Sequence, residues 1–73
     1  MKNVPNLVWW VNQNGDIFDW SLGVDQPVSG EVHPDIVSNI NYSTAKSARA
    51  GGRRTLKRLG LRATLWSGVR VEQ

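Results

Sequence analysis

The chain has 73 residues, no cysteine and a net charge of +3. A domain of this length buries only about 60% of the surface of its unfolded chain, so its core must rely on large side chains such as the four tryptophans. The lack of cysteine excludes disulfides, thiolate zinc sites and a cysteine nucleophile, and it suits a reducing compartment. No apolar run approaches the length of a membrane span, about 20 residues, and the N-terminus is too soon polar for a signal peptide. We therefore expect a single soluble cytoplasmic domain without a membrane partner.

The first element is predicted by Asn14-Gly15. This pair between two apolar runs is typical of a two-residue type I′ turn, whose central residues both need a positive φ. Centring the turn there pairs Trp9 with Trp20 and predicts a β-hairpin. The predicted core face carries Trp9, Val11, Phe18 and Trp20. The other face, which is either half-covered or a binding patch, carries Val8, Trp10, Ile17 and Asp19.

The next segment has no regular hydrophobic period. Glycines and prolines between Gly23 and Pro34 predict a loop. Pro34 suits the first turn of a helix, and Asp35 lies favourably near the positive end of a helix dipole. Residues 35–40 are therefore predicted to form one or two turns of helix.

Residues 43–61 sort into two faces at the helical pitch of about 100° per residue. Ser43 or Thr44 can cap the start of this helix, and Gly60 is well placed to end it in the left-handed conformation, with Leu61 touching Leu56. One arc carries small and apolar residues, namely Ala45, Ala48, Gly52, Leu56 and Leu59. The opposite half carries six cations, namely Lys46, Arg49, Arg53, Arg54, Lys57 and Arg58.

The Gly51-Gly52 pair lies inside this predicted helix and costs about 1 kcal/mol per glycine relative to alanine. Two alternatives follow. Either the helix is unbroken because Gly52 approaches the sheet or a tryptophan ring closely, or the helix breaks or hinges at the pair. We favour the unbroken helix.

The last element is predicted by alternation of apolar and polar residues from Leu61 to Val71. This pattern indicates a strand, with a bulge or bend at Gly68. Together the elements predict an α+β fold, a small two-layer sandwich. In it the N-terminal hairpin and the returning C-terminal strand form a three-stranded sheet, packed against the short helix and the long basic helix.

Residues for catalysis are sparse. His33 is the only histidine, and it has no evident partner for general acid–base work or metal binding. Asp16 and Asp19 fall on opposite faces of their strand, so they do not form a paired-carboxylate site. The Gly51-Gly52 segment lacks the Lys-Ser/Thr ending of a phosphate-binding loop. We expect no enzymatic activity, no metal and no cofactor.

The positive charge is concentrated in the second half of the chain. Up to Val37 one lysine stands against five acidic residues, a charge of −4; from Ser38 onward eight Lys and Arg stand against Glu72, a charge of +7. The helix cations have no acid among them to form i,i+4 pairs, so an external anion would relieve their repulsion. A merely solvated face is the alternative. The predicted partner-binding residues are Trp10, Ile17, Asp19, Lys46, Arg49, Arg53, Arg54, Lys57 and Arg58.

The segments LVWWVNQNGDIFDWSLG and STAKSARAGGRRTLKRLGLR, in a cysteine-free chain of this size, resemble small bacteriophage proteins that commandeer a host enzyme. The resemblance is to RNA polymerase-binding transcription regulators of Xanthomonas bacteriophages. It implies binding to bacterial RNA polymerase in the host cytoplasm, inhibition of initiation by weakening or displacing the housekeeping σ factor, and antitermination. It implies no particular site residues.

Several alternatives stay open. The basic helix is also expected of a nucleic-acid-binding module that tracks phosphates, and a related inhibitor could target a bacterial nuclease or defence complex. We expect the chain to act as a monomer. For residues 1–6 the sequence leaves open whether they stay disordered until a partner orders them.

Overall fold

The computed structural model describes residues 7–24, 34 and 36–71. Within these ranges it contains β1 (Val8–Asn14), β2 (Ile17–Gly23), β3 (Ile36–Val37), α1 (Ala45–Leu59) and β4 (Thr64–Val71). The sheet order is β3-β2-β1-β4. The β1–β2 and β2–β3 pairs are antiparallel, whereas β4 runs parallel to β1. The predicted α+β class is confirmed, but the sheet has four strands rather than three.

The hairpin forms as predicted, but with a different register. Asn14 pairs with Ile17, so the two-residue loop is Gly15-Asp16 and the turn lies one residue later than predicted. Trp9 therefore pairs with Leu22 and not with Trp20, which is a register difference of two residues. Gly15 has a φ of 61°, whereas Asp16 does not have a positive φ. This pattern suits a type II′ turn, in which only the first central position demands glycine. Because side chains alternate with a period of two residues, a shift of two leaves the faces unchanged. The face toward α1 still carries Trp9, Val11, Phe18 and Trp20.

The core lies between α1 and the two central strands. Its buried cluster consists of Trp9, Trp20, Leu22 and Leu56. The helix supplies Ala48, Gly51, Gly52 and Leu56 as its buried residues. Leu59, which the helical period placed in the apolar arc, is 54% exposed.

Both ends of α1 are fixed by side-chain and backbone caps. Thr44 is the N-cap, and its side chain accepts a hydrogen bond from the Ser47 amide at 3.0 Å. Gly60 adopts the left-handed conformation with a φ of 72°. The Leu61 amide donates to the Leu56 carbonyl at 3.0 Å, which is the longer bond of a Schellman motif. The predicted cap and end of the helix are confirmed.

The helix is unbroken at its glycine pair. A Cβ atom at Gly52 would collide with the ring of Trp9, and one at Gly51 would collide with the phenol of Tyr42. The two glycines therefore let the helix backbone approach the aromatic layer closely, which offsets their poor helix propensity. Of the two alternatives, close packing at Gly52 is the one found.

The short helix predicted over residues 35–40 is wrong. Ile36–Val37 forms the two-residue strand β3 instead. The Ser38 amide donates to the Trp20 carbonyl at 2.9 Å, and the Trp20 amide donates to Ser38 Oγ at 3.2 Å. β-Branched residues suit a strand, and pairing here satisfies backbone groups on the outer side of β2 that would otherwise need water.

The predicted irregularity in the last strand is confirmed. Trp9 pairs with Leu65 and Val11 pairs with Val69, so three residues of β4 lie opposite one residue of β1. Gly68 lies in this bulge, and a Cβ atom there would be 2.6 Å from Cη2 of Trp66. The ring of Trp66 thus folds over a position that must lack a side chain.

Several predictions fall outside the described residues. They concern residues 1–6, most of the loop between Gly23 and Pro34, His33, Asp35 and Glu72. Across residues 7–24, 34 and 36–71, no helix is long and apolar enough to cross a membrane.

Candidate functional site

The basic face of α1 is the first component of the candidate site. We use this name for its six cations, of which five are exposed, whereas Arg49 is half-buried. The helix contains no acidic residue, and none of the six forms a salt bridge with another residue of the described ranges. Their mutual repulsion is therefore uncompensated within that part of the chain. The exposed members are Lys46, Arg53, Arg54, Lys57 and Arg58.

Four of these cations form two rows on different sides of the helix. Arg53 and Lys57 are spaced i,i+4 and face the β4 side of the helix, where they line a groove. Arg54 and Arg58 are also spaced i,i+4, and each follows a member of the first row by one residue along the helix. Arg58 lines a separate pocket on the β3 side. The charge of one helix is thus divided between two surfaces.

The groove on the β4 side is the larger of the two, with a volume of about 460 Å³. It exists because α1 packs on β1 and β2 and leaves the helix-side face of β4 partly uncovered. Arg62, which follows α1, adds a third cation to its rim. Its apolar lining consists of Trp9, Leu56, Leu61, Ala63 and Leu65.

The pocket on the β3 side has a volume of about 300 Å³. Its apolar wall includes Val37 and Ile40, which are 50% and 58% exposed. Trp20 also lines it, and the Trp20 Nε1 atom is buried without a hydrogen-bond acceptor among the described residues. Arg58 is the cation of this pocket.

The sheet face opposite α1 holds the other predicted site residues, and it corrects the prediction for Trp10. This side chain is 1% exposed, and its Nε1 donates to Asn12 Oδ1 at 2.9 Å. A ring so enclosed cannot contact a partner while the fold is intact, so Trp10 is a core residue and we remove it from the candidate site. The sequence left open whether the face that carries Trp10 is half-covered or a binding patch, and the structure buries the Trp10 side chain fully.

Asp19 and Ile17 lie on the same face as Trp10, away from the basic face of α1. Asp19 Oδ1 accepts a hydrogen bond from Asn12 Nδ2 at 2.8 Å, so this carboxylate is part of an internal network. Ile17 is 47% exposed near the hairpin turn. The structure therefore does not bring these two residues together with the helix cations.

Sequence reasoning missed three residues that matter here. Asn12 joins Trp10, Asp19 and Ser21, and the strand alternation could have placed it beside Asp19. Arg62 and Leu65 complete the groove, but no period in the sequence relates them to α1. Their proximity depends on β4 lying beside β1, which is a property of the strand order.

The candidate site combines cations with half-buried apolar side chains. Within the described ranges, no three His, Cys, Asp or Glu residues come together as metal ligands. Arginine beside apolar side chains is a combination that is common at protein–protein interfaces. No family model matches the chain, and neither a curated protein nor a solved structure matches it.

Proposed function

We propose that this protein is a non-enzymatic regulator that binds bacterial RNA polymerase. It inhibits σ-dependent initiation by weakening or displacing σ, and it acts as an antiterminator on the same enzyme. The observation that carries the proposal is the uncompensated basic face of α1 beside an apolar groove. The resemblance of the hairpin and basic segments to phage transcription regulators supplies the identity of the partner.

The geometry supports a protein partner in two ways. Arginines beside apolar side chains provide the charged and hydrophobic contacts that dominate interface energetics. A helix held by two caps and a buried glycine pair presents those cations without a cost for ordering the backbone. Displacement of σ then needs only a surface that overlaps with the σ contact or is coupled to it.

A nucleic-acid-binding module is the second candidate function, and one observation favours it. Five exposed cations on a single helix without an acid would also follow a phosphate backbone. The groove argues for the protein partner, because a phosphate backbone brings no apolar side chain to cover Leu61 and Leu65. The two candidates differ in their response to nuclease treatment.

The test is a pull-down of the tagged full chain from bacterial lysate, with and without nuclease, followed by transcription assays with purified polymerase. We expect polymerase subunits to remain bound after nuclease treatment. We also expect σ-dependent initiation at a promoter to fall, whereas core polymerase started from a tailed template, which needs no σ, continues. Loss of every bound protein with the nucleic acid would contradict the proposal and favour the second candidate.

A further inference from the structure

We propose that the groove between α1, the 61–63 loop and β4 binds an acidic segment of the partner protein. One apolar side chain of that segment fills the groove, while neighbouring carboxylates pair with the cations on its rim. This inference deepens the proposed function and rests on it, since it assumes a protein partner. It assigns docking to the row formed by Arg53 and Lys57. The row formed by Arg54 and Arg58 takes no part in docking.

The rim of the groove is positive throughout. Arg53 and Lys57 stand one helical turn apart on α1, and Arg62 approaches from the segment after the helix. No acidic residue lines the groove, and none of these three side chains forms a salt bridge within the described part of the chain. Carboxylates placed here would form charge-assisted hydrogen bonds and remove the repulsion between like charges.

The floor of the groove explains why the ligand needs an apolar group as well. Trp9 lies at the bottom and is 3% exposed, while Leu61 and Leu65 pack against the core cluster only partly buried. Covering these leucines removes apolar surface from water, at about 25 cal/mol per Å². A volume of about 460 Å³ accommodates one or two large side chains.

Nucleic acid fits this groove less well than an acidic protein segment does. Stacking of bases needs an accessible aromatic face, but Trp9 is the aromatic residue of the lining and it is buried under Gly52. Phosphates would satisfy the three cations and leave the leucines uncovered. Both requirements are met together by aspartates or glutamates that flank a leucine or phenylalanine.

The test compares two charge-reversed variants of the full chain. The groove variant, Arg53→Glu/Lys57→Glu, reverses the charges of the row that lines the groove. The control variant, Arg54→Glu/Arg58→Glu, reverses the charges of the other row. Both pairs are spaced i,i+4 on the same helix, and both lower the net charge by four. The probe is a fluorescent 12-residue peptide in which Asp and Glu flank Leu and Phe, and its affinity is measured by anisotropy. Circular dichroism and thermal unfolding confirm that both variants fold.

We expect the groove variant to bind the probe at least about tenfold more weakly than the control variant, which is about 1.4 kcal/mol. Replacing Leu65 with alanine, with all charges kept, is expected to weaken binding about fivefold. A probe with Gln in place of every Asp and Glu is expected to bind at least about tenfold more weakly. Equal losses in the two charge-reversed variants, or tight binding of the Gln probe, would overturn the inference.

Polymerase retention separates this inference from the proposed function. Loss of polymerase by the groove variant, with retention by the control variant, supports the groove as the docking site. If both variants retain polymerase, the groove is not the docking site, but the proposed function still stands. Failure of the wild-type chain to retain polymerase overturns the proposed function itself. Displacement of the probe by duplex DNA, with DNA binding lost in the groove variant alone, would replace the acidic segment with nucleic acid as the occupant.

Discussion

At the scale of single residues, Asn12 is the most constrained polar side chain on the sheet. It is 4% exposed, and its amide makes three hydrogen bonds, to Trp10, Asp19 and Ser21. The Trp10 Nε1 and Ser21 Oγ atoms belong to residues that are themselves buried. Asn12 thus satisfies polar groups that have no access to water, and it fixes the orientation of the indole of Trp10.

Replacing Asn12 with alanine is expected to lower the free energy of unfolding by about 2 kcal/mol, because a buried donor left without a partner costs roughly 1–3 kcal/mol. Urea denaturation of the variant measures the effect. Gln13→Ala is the matched control. The Gln13 side chain also bonds within the hairpin, to the Gly15 carbonyl at 3.1 Å, but that bond is exposed, so its loss is expected to change stability by less than about 0.5 kcal/mol. Similar losses in the two variants would contradict the structural role of Asn12.

At the scale of elements, the position of α1 is set by its close approach to β1. Intrinsic propensity alone predicts that Gly52→Ala stabilises the helix by about 1 kcal/mol. The structure predicts a loss of stability instead, because the new methyl group would meet the buried ring of Trp9. Overpacking of this kind costs about 1–3 kcal/mol. We expect Gly52→Ala to lower the midpoint of thermal unfolding.

Gly51→Ala is the control for this prediction. It makes the same substitution one position earlier in the same helix, but the obstacle there is the phenol end of half-buried Tyr42, which can turn outward. The loss of stability is therefore expected to be smaller than at Gly52. An increase in stability on Gly52→Ala would show that the helix does not press on Trp9.

Elements with local determinants could be predicted, whereas those set by distant partners could not. The start and end of α1 follow from Thr44 and Gly60, which act within one turn of the helix. By contrast, Ile36–Val37 is a strand because β2 offers it an open edge, and Pro34 before it had favoured a helix. The hairpin turn was placed one residue early, because Asn14-Gly15 suits a type I′ turn and Gly15 alone suffices for the turn that forms.

At the scale of the whole molecule, the charge split was visible in the sequence but the groove was not. The described part of the chain from Ser38 onward carries eight cations and no acidic residue, and from this pattern we predict an acidic partner. The groove arises only once β4 pairs parallel to β1 and takes the edge of the sheet, leaving Leu65 beside Arg53 and Lys57. The recognition that we propose, of an apolar group together with charge, therefore depends on the assembled fold.

The salt dependence of binding measures how far charge alone drives association. A basic helix that neutralises about five phosphates of duplex DNA would show a log–log slope near −4.5. Binding to polymerase through the groove uses three cations, Arg53, Lys57 and Arg62, and protein carboxylates lack the condensed counterions of duplex DNA. We therefore expect a slope for polymerase less than about half as steep, measured with the same protein between about 50 and 200 mM salt. Duplex DNA titrated under identical conditions is the reference. A slope for polymerase as steep as the DNA slope would contradict docking through the three cations of the groove alone.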